Sequence, residues 1–211
     1  MPPWVPSNET KPAPMPLLVV QAFVNTFEAD TDTDLLRQPG VALEWFVAAG
    51  LFDAGHALDP TDLDRADLDA ADLDVARQAR ESVRALLAAN ANGTAPSEQD
   101  LEPLTAITRS CRLRLHVEPT GAVRVDTEPE GGLGAALLRL LLIIRDAQHD
   151  GTWQRLKACQ NTECSWAFYD RSHSRRGMWC DMSVCGNRVK NRNLRTRQRH
   201  QPGARGGSVQ D

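Results

Sequence analysis

Apolar and polar positions divide the chain into short blocks, most of them with helical spacing. Residues 17–27 are almost continuously apolar, so their period does not separate a buried strand from the start of a helix. In 41–49, Leu43, Phe46 and Val47 share one helical face, and Gly50 follows where a helix end favours glycine. A longer helix is predicted to about Ala91, capped by Asp72 and stopped by Asn92-Gly93, with Val75, Ala79, Val83, Leu86 and Leu87 as its core stripe. Ser97 and Asp100 are spaced as in a capping box, which predicts a short helix with Leu101, Leu104, Ile107 and Thr108 inward. Strict alternation follows: Cys111, Leu113, Leu115 and Val117 against Arg112, Arg114 and His116, with a turn at Pro119-Thr120-Gly121 and a return arm over 123–127. Residues 133–148 then carry apolar side chains on more than one helical face, which predicts a helix covered from several sides.

Two segments lack such a pattern. The stretch 1–16 has six prolines and no basic region before an apolar run, so it is expected to be a disordered leader rather than a signal peptide. Residues 61–75, TDLDR ADLDA ADLDV, repeat with a period of five. Solenoids of short repeats need many copies to bury a core, and a calcium loop needs a glycine and a terminal glutamate that are missing here. An acidic loop leading into a helix is the simpler reading.

Composition adds one decisive feature. The formal net charge of the 211 residues is −4. Residues 1–151, however, hold 12 Lys/Arg and 24 Asp/Glu, a net of −12, whereas 152–211 hold 12 and 4, a net of +8. That asymmetry is expected of a chain that binds nucleic acid or another anionic surface. The longest apolar run is interrupted by Arg139 and is far shorter than the roughly 20 residues of a membrane span. No membrane association is expected, and the cytoplasm, with the nucleoid, is the expected location.

Four of the five cysteines lie close together, with the spacing Cys159-x4-Cys164-x15-Cys180-x4-Cys185. Two short thiolate pairs that fold back on one another make a tetrahedral zinc site, with one structural zinc as the expected cofactor. Cysteine alone leaves an iron–sulfur cluster as an alternative, while two disulfides or a redox pair fit the spacing and compartment poorly. Cys111 reads as a small core hydrophobe, and His173 is surplus to four ligands. Four thiolates leave no open coordination position, and no nucleophile, acid–base pair or phosphate loop is visible. The chain is therefore expected not to be an enzyme. Trp166, Phe168, Tyr169 and Trp179 are expected to cover the metal, with 165–169 and 177–180 forming a hairpin around a basic turn.

After the last cysteine, Arg188, Arg192, Arg195 and Arg199 recur at helical steps, with Lys190 and Arg197 on another flank. Together with Arg175 and Arg176 they form the candidate nucleic-acid-binding set. Asn187 or Asn191 could read base edges, and Asn187 could equally cap the knuckle. DNA is the expected partner. The alternatives are a zinc-stabilised protein-interaction module or RNA binding, the latter favoured by exposed Trp166 or Trp179.

At these residues the sequence resembles the CGNR-type zinc finger, whose four naming residues stand at Cys185-Gly186-Asn187-Arg188, preceded by Trp166-Ala167-Phe168-Tyr169-Asp170 and Arg176-Gly177-Met178-Trp179-Cys180. Upstream, Phe23-Val24-Asn25-Thr26 and the helix–hairpin–helix order resemble the ABATE domain of bacterial proteins. The resemblance implies a stress-responsive transcription regulator with a DNA-binding finger and an N-terminal sensor domain; the acidic first domain is expected to sense a small molecule, form a homodimer or bind a protein. The expected fold is α+β: an N-terminal helical domain with a small antiparallel sheet, then a C-terminal four-cysteine zinc finger ending in a basic helix. The expected boundaries are 1–16 leader, 17–151 ABATE-like domain, 153–199 finger and 200–211 flexible tail.

Overall fold

The apolar block after the leader is a helix, α1 (Leu17–Val24), and all eight of its residues are buried. That explains the missing period, because a helix covered on every side needs no polar face. The computed structural model describes residues 1–52, 68–128 and 132–199; the first part of the acidic repeat, 61–67, and the tail from residue 200 lie outside the described residues. A two-residue strand pair, β1 (Phe27–Glu28) and β2 (Thr33–Asp34), then leads to α2 (Pro39–Ala48), which ends at Gly50 with φ of 70°. Phe23, Trp45, Phe46 and Phe52 stack edge-on or tilted at centroid distances of 5.3–6.1 Å, and they form the aromatic centre of the core.

The long helix α3 (Ala70–Asn92) crosses this centre. Its cap differs from the expected one. Asp69 is the N-cap and Asp72, three residues on, completes a reciprocal capping box. The core stripe is Leu73, Ala76, Ala79, Arg80, Val83 and Leu87, while Val75 faces solvent. Arg80 holds a place in that stripe because Asp34 meets it with two hydrogen bonds, at 2.6 and 3.0 Å, and Phe27 lies under its guanidinium. The short helix α4 (Glu98–Ser110) has the predicted capping box at Ser97 and Asp100, with Leu104 and Ile107 inward and Thr108 exposed. The helix α5 (Gly132–Asp150) buries Leu133, Leu137, Leu138, Leu140 and Ile144 and packs on α1, α3 and α4.

Between α4 and α5 stands the predicted hairpin, β3 (Arg112–Val117) and β4 (Val123–Glu128), in antiparallel register with Leu115 opposite Val125. Its apolar face is mostly open. Only its base is covered: Thr127 is buried, whereas Leu115 and Val117 are each 70% exposed.

The leader, expected to be disordered, is packed. Trp4, Val5 and Ala13 belong to the core, and the Trp4 carbonyl accepts from Trp45 Nε1 at 3.0 Å. Gln21, fully buried on α1, accepts from Ala13 N–H at 2.7 Å and donates to the Lys11 carbonyl at 3.1 Å. Prolines lack N–H donors, so this strap cannot join a sheet ladder throughout; side chains of the body hold it instead.

The cysteine-rich end is also joined to the body. Strands β5 (Leu156–Ala158) and β6 (Ala167–Tyr169) pair antiparallel, in place of the hairpin expected from 165–169 and 177–180. Leu156, Ala158, Ala167 and Tyr169 are part of the main core, and β5 lies along α3. Asn90 donates to the carbonyls of Trp153 and Leu156 at 3.0 Å each, and Arg84 bridges the Ser165 and Val24 carbonyls. The chain continues through a single π turn, Met182–Gly186, into the terminal helix α6 (Asn187–Arg199). The architecture is α+β, with six helices and three two-stranded antiparallel sheets among the described residues. No helix among them is long and apolar enough to cross a membrane.

Candidate metal centre

Cys159 follows β5, Cys164 lies in a tight turn, Cys180 lies after the basic loop and Cys185 sits in the π turn. Their four Sγ atoms all lie within 4.8 Å of one another, and the Cys164–Cys180 and Cys180–Cys185 separations are both 3.6 Å. A tetrahedral zinc with bonds of about 2.3 Å requires sulfur–sulfur edges of roughly 3.8 Å. The cluster fits that dimension without rearrangement. Disulfide sulfurs stand about 2.0 Å apart, so the same distances exclude bonded pairs. Cys159 and Cys185 are buried, Cys164 and Cys180 are half-buried, and Trp166 and Trp179 pack on the group.

The thiols are electrostatically linked. Hydrogen bonds from the Cys164 and Cys180 thiols push Cys159 down to about 2, overcoming its burial. Cys164 is pushed up to about 12, first by the Cys159 side chain and then by burial and charge, and Cys180 is raised by the same two neighbours. One thiolate forms readily and opposes the next. A dication removes that opposition, which is why such a set binds metal with proton release.

Asn161 organises the first knuckle. Its carbonyl accepts from the N–H groups of Cys164 and Ser165 at 2.8 and 3.0 Å, and its buried amide donates to Cys185 Sγ at 3.8 Å. Asp181 caps the π turn by accepting from Ser183 and Val184 N–H. A Cβ on Gly186 would stand 2.5 Å from the flexible Met182 thioether and 3.1 Å from Trp179, so a side chain there requires both to shift. Asn187 donates to the Ser183 carbonyl at 2.9 Å, which is the capping contact expected of it. Arg188 reaches Asp30 on the N-terminal body at 3.2 Å. Each of the four residues 185–188 therefore has a structural partner.

The basic loop after β6 has its own anchor. Lys157 and Asp170, whose side chains are each 4% exposed, pair at 2.9 Å, and Lys157 Nζ also donates to the Arg175 carbonyl. Asp170 accepts from Ser172 and Gly177 N–H. Burial raises the Asp170 carboxyl, but its bonds to Ser172, Lys157 and Gly177 outweigh that and hold it below the usual carboxylate range. A Cβ at Gly177 would meet the Asp170 carboxylate at 2.8 Å, which accounts for the glycine.

Two family models match this chain. The ABATE model, described as "Putative stress-induced transcription regulator", matches residues 19–149, more than half of the sequence. The chain belongs to the ABATE family. In this ABATE chain a second model, the CGNR zinc finger, matches residues 155–198 and so takes in all four clustered cysteines. Those cysteines constitute a site for one structural zinc. Comparison with curated proteins returned no match.

The eight cations singled out in the sequence divide into three groups. Arg175, Arg176, Lys190, Arg195 and Arg197 are exposed, with no acidic partner among the described residues. Arg188 pairs with Asp30, and Arg192 pairs with Glu163 at 2.6 Å while donating to Asn161 Oδ1 at 2.8 Å. Arg199 ends α6. Arg192 thus ties the helix to the zinc knuckle. The aromatic set divides as well. Tyr169 joins the main core, Phe168 lies under Lys11, and Trp166 is buried with its Nε1 donating to Glu9 at 3.2 Å. Trp166 therefore offers no free stacking face. His173 stands exposed on the loop, and Cys111 packs against the core.

Sequence reasoning missed the seam between the ABATE body and the finger. Asn25 grips β6 as a strand would: its Oδ1 accepts from Ala167 N–H at 2.8 Å and its Nδ2 donates to the Ala167 carbonyl at 2.9 Å. Gln21 donates to the same carbonyl, and the Lys11 carbonyl accepts from Tyr169 N–H at 2.9 Å. Glu9 is buried there. Desolvation pushes its carboxyl up, and hydrogen bonds from Lys11 N–H, Trp166 and Asn25 pull in the other direction without reversing the shift. The usable signal was Phe23-Val24-Asn25-Thr26, where a polar pair interrupts an apolar run.

Proposed function

We propose that this ABATE protein is a transcription regulator that binds DNA through a cationic surface held in place by its zinc. One observation carries the reading: five exposed cations without acidic partners among the described residues, on the 171–176 loop and α6, flank a metal knuckle that is itself anchored to the core. Like charges so arranged repel one another, and phosphates in the right positions remove the repulsion. Arg199 extends the same helix, and Arg188 joins the set when it leaves Asp30. The metal acts structurally, since four thiolates leave no site for substrate, and the reading includes no catalytic step. Binding takes place in the cytoplasm, at the nucleoid.

The test is the salt dependence of duplex binding by the zinc-loaded full chain, measured by fluorescence anisotropy. Five phosphate contacts give a slope near −4.5 in log K against log salt, a loss of about 500-fold between 50 and 200 mM. A flat response refutes DNA binding through this surface. In the same titration D30N frees Arg188 and tightens binding up to about fivefold, the range of an exposed ion pair. If D30N weakens binding, the Asp30 contact supports the DNA-bound form and does not oppose it.

The sensor role falls, in this reading, to a groove of about 550 Å³ between α3 and the Cys159 knuckle. Ala85, Ala88, Ala158, Gln160 and Thr162 are among the residues that line it. A small molecule seated there touches both the helix and the knuckle. A compound that raises Tm in the parent chain and not in A88W identifies the groove; equal shifts in both place the sensor elsewhere.

A second reading, a zinc-stabilised module that docks an acidic protein segment, is favoured by the Arg188–Asp30 and Arg192–Glu163 pairs, in which carboxylates of this chain already meet the basic helix.

A further inference from the structure

The β3–β4 hairpin has an alternating pattern with one apolar and one charged face, yet most of its apolar face is bare. Leu113, Leu115, Val117 and Val123 are 48%, 70%, 70% and 62% exposed. By register they stand on one face with Val125 and Thr127, opposite the face of Arg112, Arg114, His116, Arg124 and Asp126. Cys111 and Thr127 fix the base: Cys111 Sγ sits where a Cβ on Gly134 would come within 2.8 Å, and Thr127 is 3% exposed. The arm then overhangs its own body. The sheet has only two strands, so both outer edges lack a strand partner among the described residues. Isolated two-stranded sheets are marginal in water, and unpaired edges are normally blunted or covered.

We propose that this hairpin is a dimerisation arm, and that its β4 edge pairs antiparallel with β4 of a second copy. Charge complementarity selects both the occupant and the register. With the two-fold axis at Val125, Val125 faces its own copy, Arg124, whose contacts to Glu118 and Asp126 of its own chain are long and exposed at 3.4 and 3.5 Å, faces Asp126 of the other chain in two symmetric pairs, and Val123 lies opposite Thr127. Centring on Arg124 or Asp126 instead sets a charge against itself. The β3 edge has no such solution, because Arg112, Arg114 and His116 are its only ionisable side chains. The Val125 register also brings each exposed tip beside the other copy's base, where α5 packs against β4, so the bare apolar face gains a cover. The contact is isologous and closed, as expected for a symmetric dimer and not a fibre.

Sedimentation equilibrium of the zinc-loaded full chain at about 1–100 µM tests the proposal. The parent chain is expected to dimerise. R124D and D126R each place like charges in both symmetric pairs and are expected to weaken dimerisation about tenfold or more. The exchange R124D/D126R restores opposite charges and is expected to return the dissociation constant to within about threefold of the parent. L115K, at a tip position already exposed, reads the same arm if a single charge reversal fails to fold, and it too is expected to weaken the dimer. A parent chain monomeric throughout overturns the proposal. So does a dimer insensitive to R124D, D126R and L115K, or an exchange variant no stronger than the single reversals.

Discussion

Asn25→Ala measures how firmly the finger is coupled to the ABATE body. The side chain is 3% exposed and makes both backbone hydrogen bonds to Ala167, as well as one to Glu9. Truncation leaves the Ala167 N–H buried without a partner, while its carbonyl keeps Gln21 and Glu9 keeps Trp166. An orphaned buried donor costs about 1–3 kcal/mol, and a lost bond to a carboxylate adds about as much, so roughly 3 kcal/mol of stability is expected to go. Asn25→Asp separates the contributions. It can still accept from Ala167 N–H, but it sets a second carboxylate against Glu9. A like-charge pair raises the folded-state pKa above the unfolded one, so the associated stability is present at low pH and is lost as pH rises through the folded value. N25D is therefore expected to be markedly less stable at pH 7 than at pH 5. The assay is urea unfolding of the zinc-loaded chain followed by circular dichroism, with zinc release to a chelating dye read in parallel. N25A is expected to lower the midpoint and to speed zinc release, because Ala167 lies only three residues from Cys164. A loss under about 1 kcal/mol, or an N25D variant equally stable at both pH values, refutes the clamp.

Three further outcomes follow from the packing. C180S removes one of the four ligands and is expected to lower Tm in one cooperative transition shared by tryptophan fluorescence and circular dichroism, because β5 and β6 lie in the main core; two transitions, the upper at the parent Tm, would show an autonomous finger. Asp34 is held below its ordinary value of 3.8 because hydrogen bonds from Arg80 and Leu36 N–H and the charges of Arg80 and Arg77 outweigh its burial. Its contribution is thus present above the unfolded pKa and lost as pH falls through the folded one, and D34N, which leaves Arg80 with Glu81, Thr26 and the Phe27 ring as its remaining partners, is expected to cost about 2 kcal/mol at pH 7 and to flatten the acid limb below about pH 4. Lys157→Met leaves Asp170 buried without its cation and is expected to cost roughly 3 kcal/mol while freeing the 171–176 loop; amide exchange unchanged in that loop would count against the anchor.

Local signals were read well where they depend on near neighbours. The Ser97–Asp100 capping box, the glycine stops at Gly50 and Gly93, the β3–β4 alternation and the cysteine spacing all encode their structure within a few residues. Errors arose where distant chain decided the outcome. The leader was read as disordered because its six prolines predict no regular element, yet Trp4, Val5 and Ala13 find places in a core that residues 17–52 build. The finger hairpin was assigned to the wrong partner because three-residue strands carry almost no pattern of their own. Arg80 lay in the expected polar share of α3 and became a core residue once Asp34 reached it from 46 positions away.

By itself, then, the sequence determined which residues hold the metal, where α4 starts and where α2 and α3 stop, and that negative charge is concentrated before residue 152 and positive charge after it. These are properties of spacing and composition, and they survive any arrangement of the parts. Only the tertiary structure decided which cations are spent and which are free. Arg188 and Arg192 stand on the same helix as Lys190, Arg195 and Arg197, but two carboxylates from elsewhere in the chain reach only the first pair. It also decided that the finger and the body share one core, because the polar groups that join them, Asn25, Gln21, Glu9 and Arg84, each satisfy a partner more than eighty residues away. A helical face can be read from periodicity, whereas the partner of a buried polar group depends on where the rest of the chain has folded.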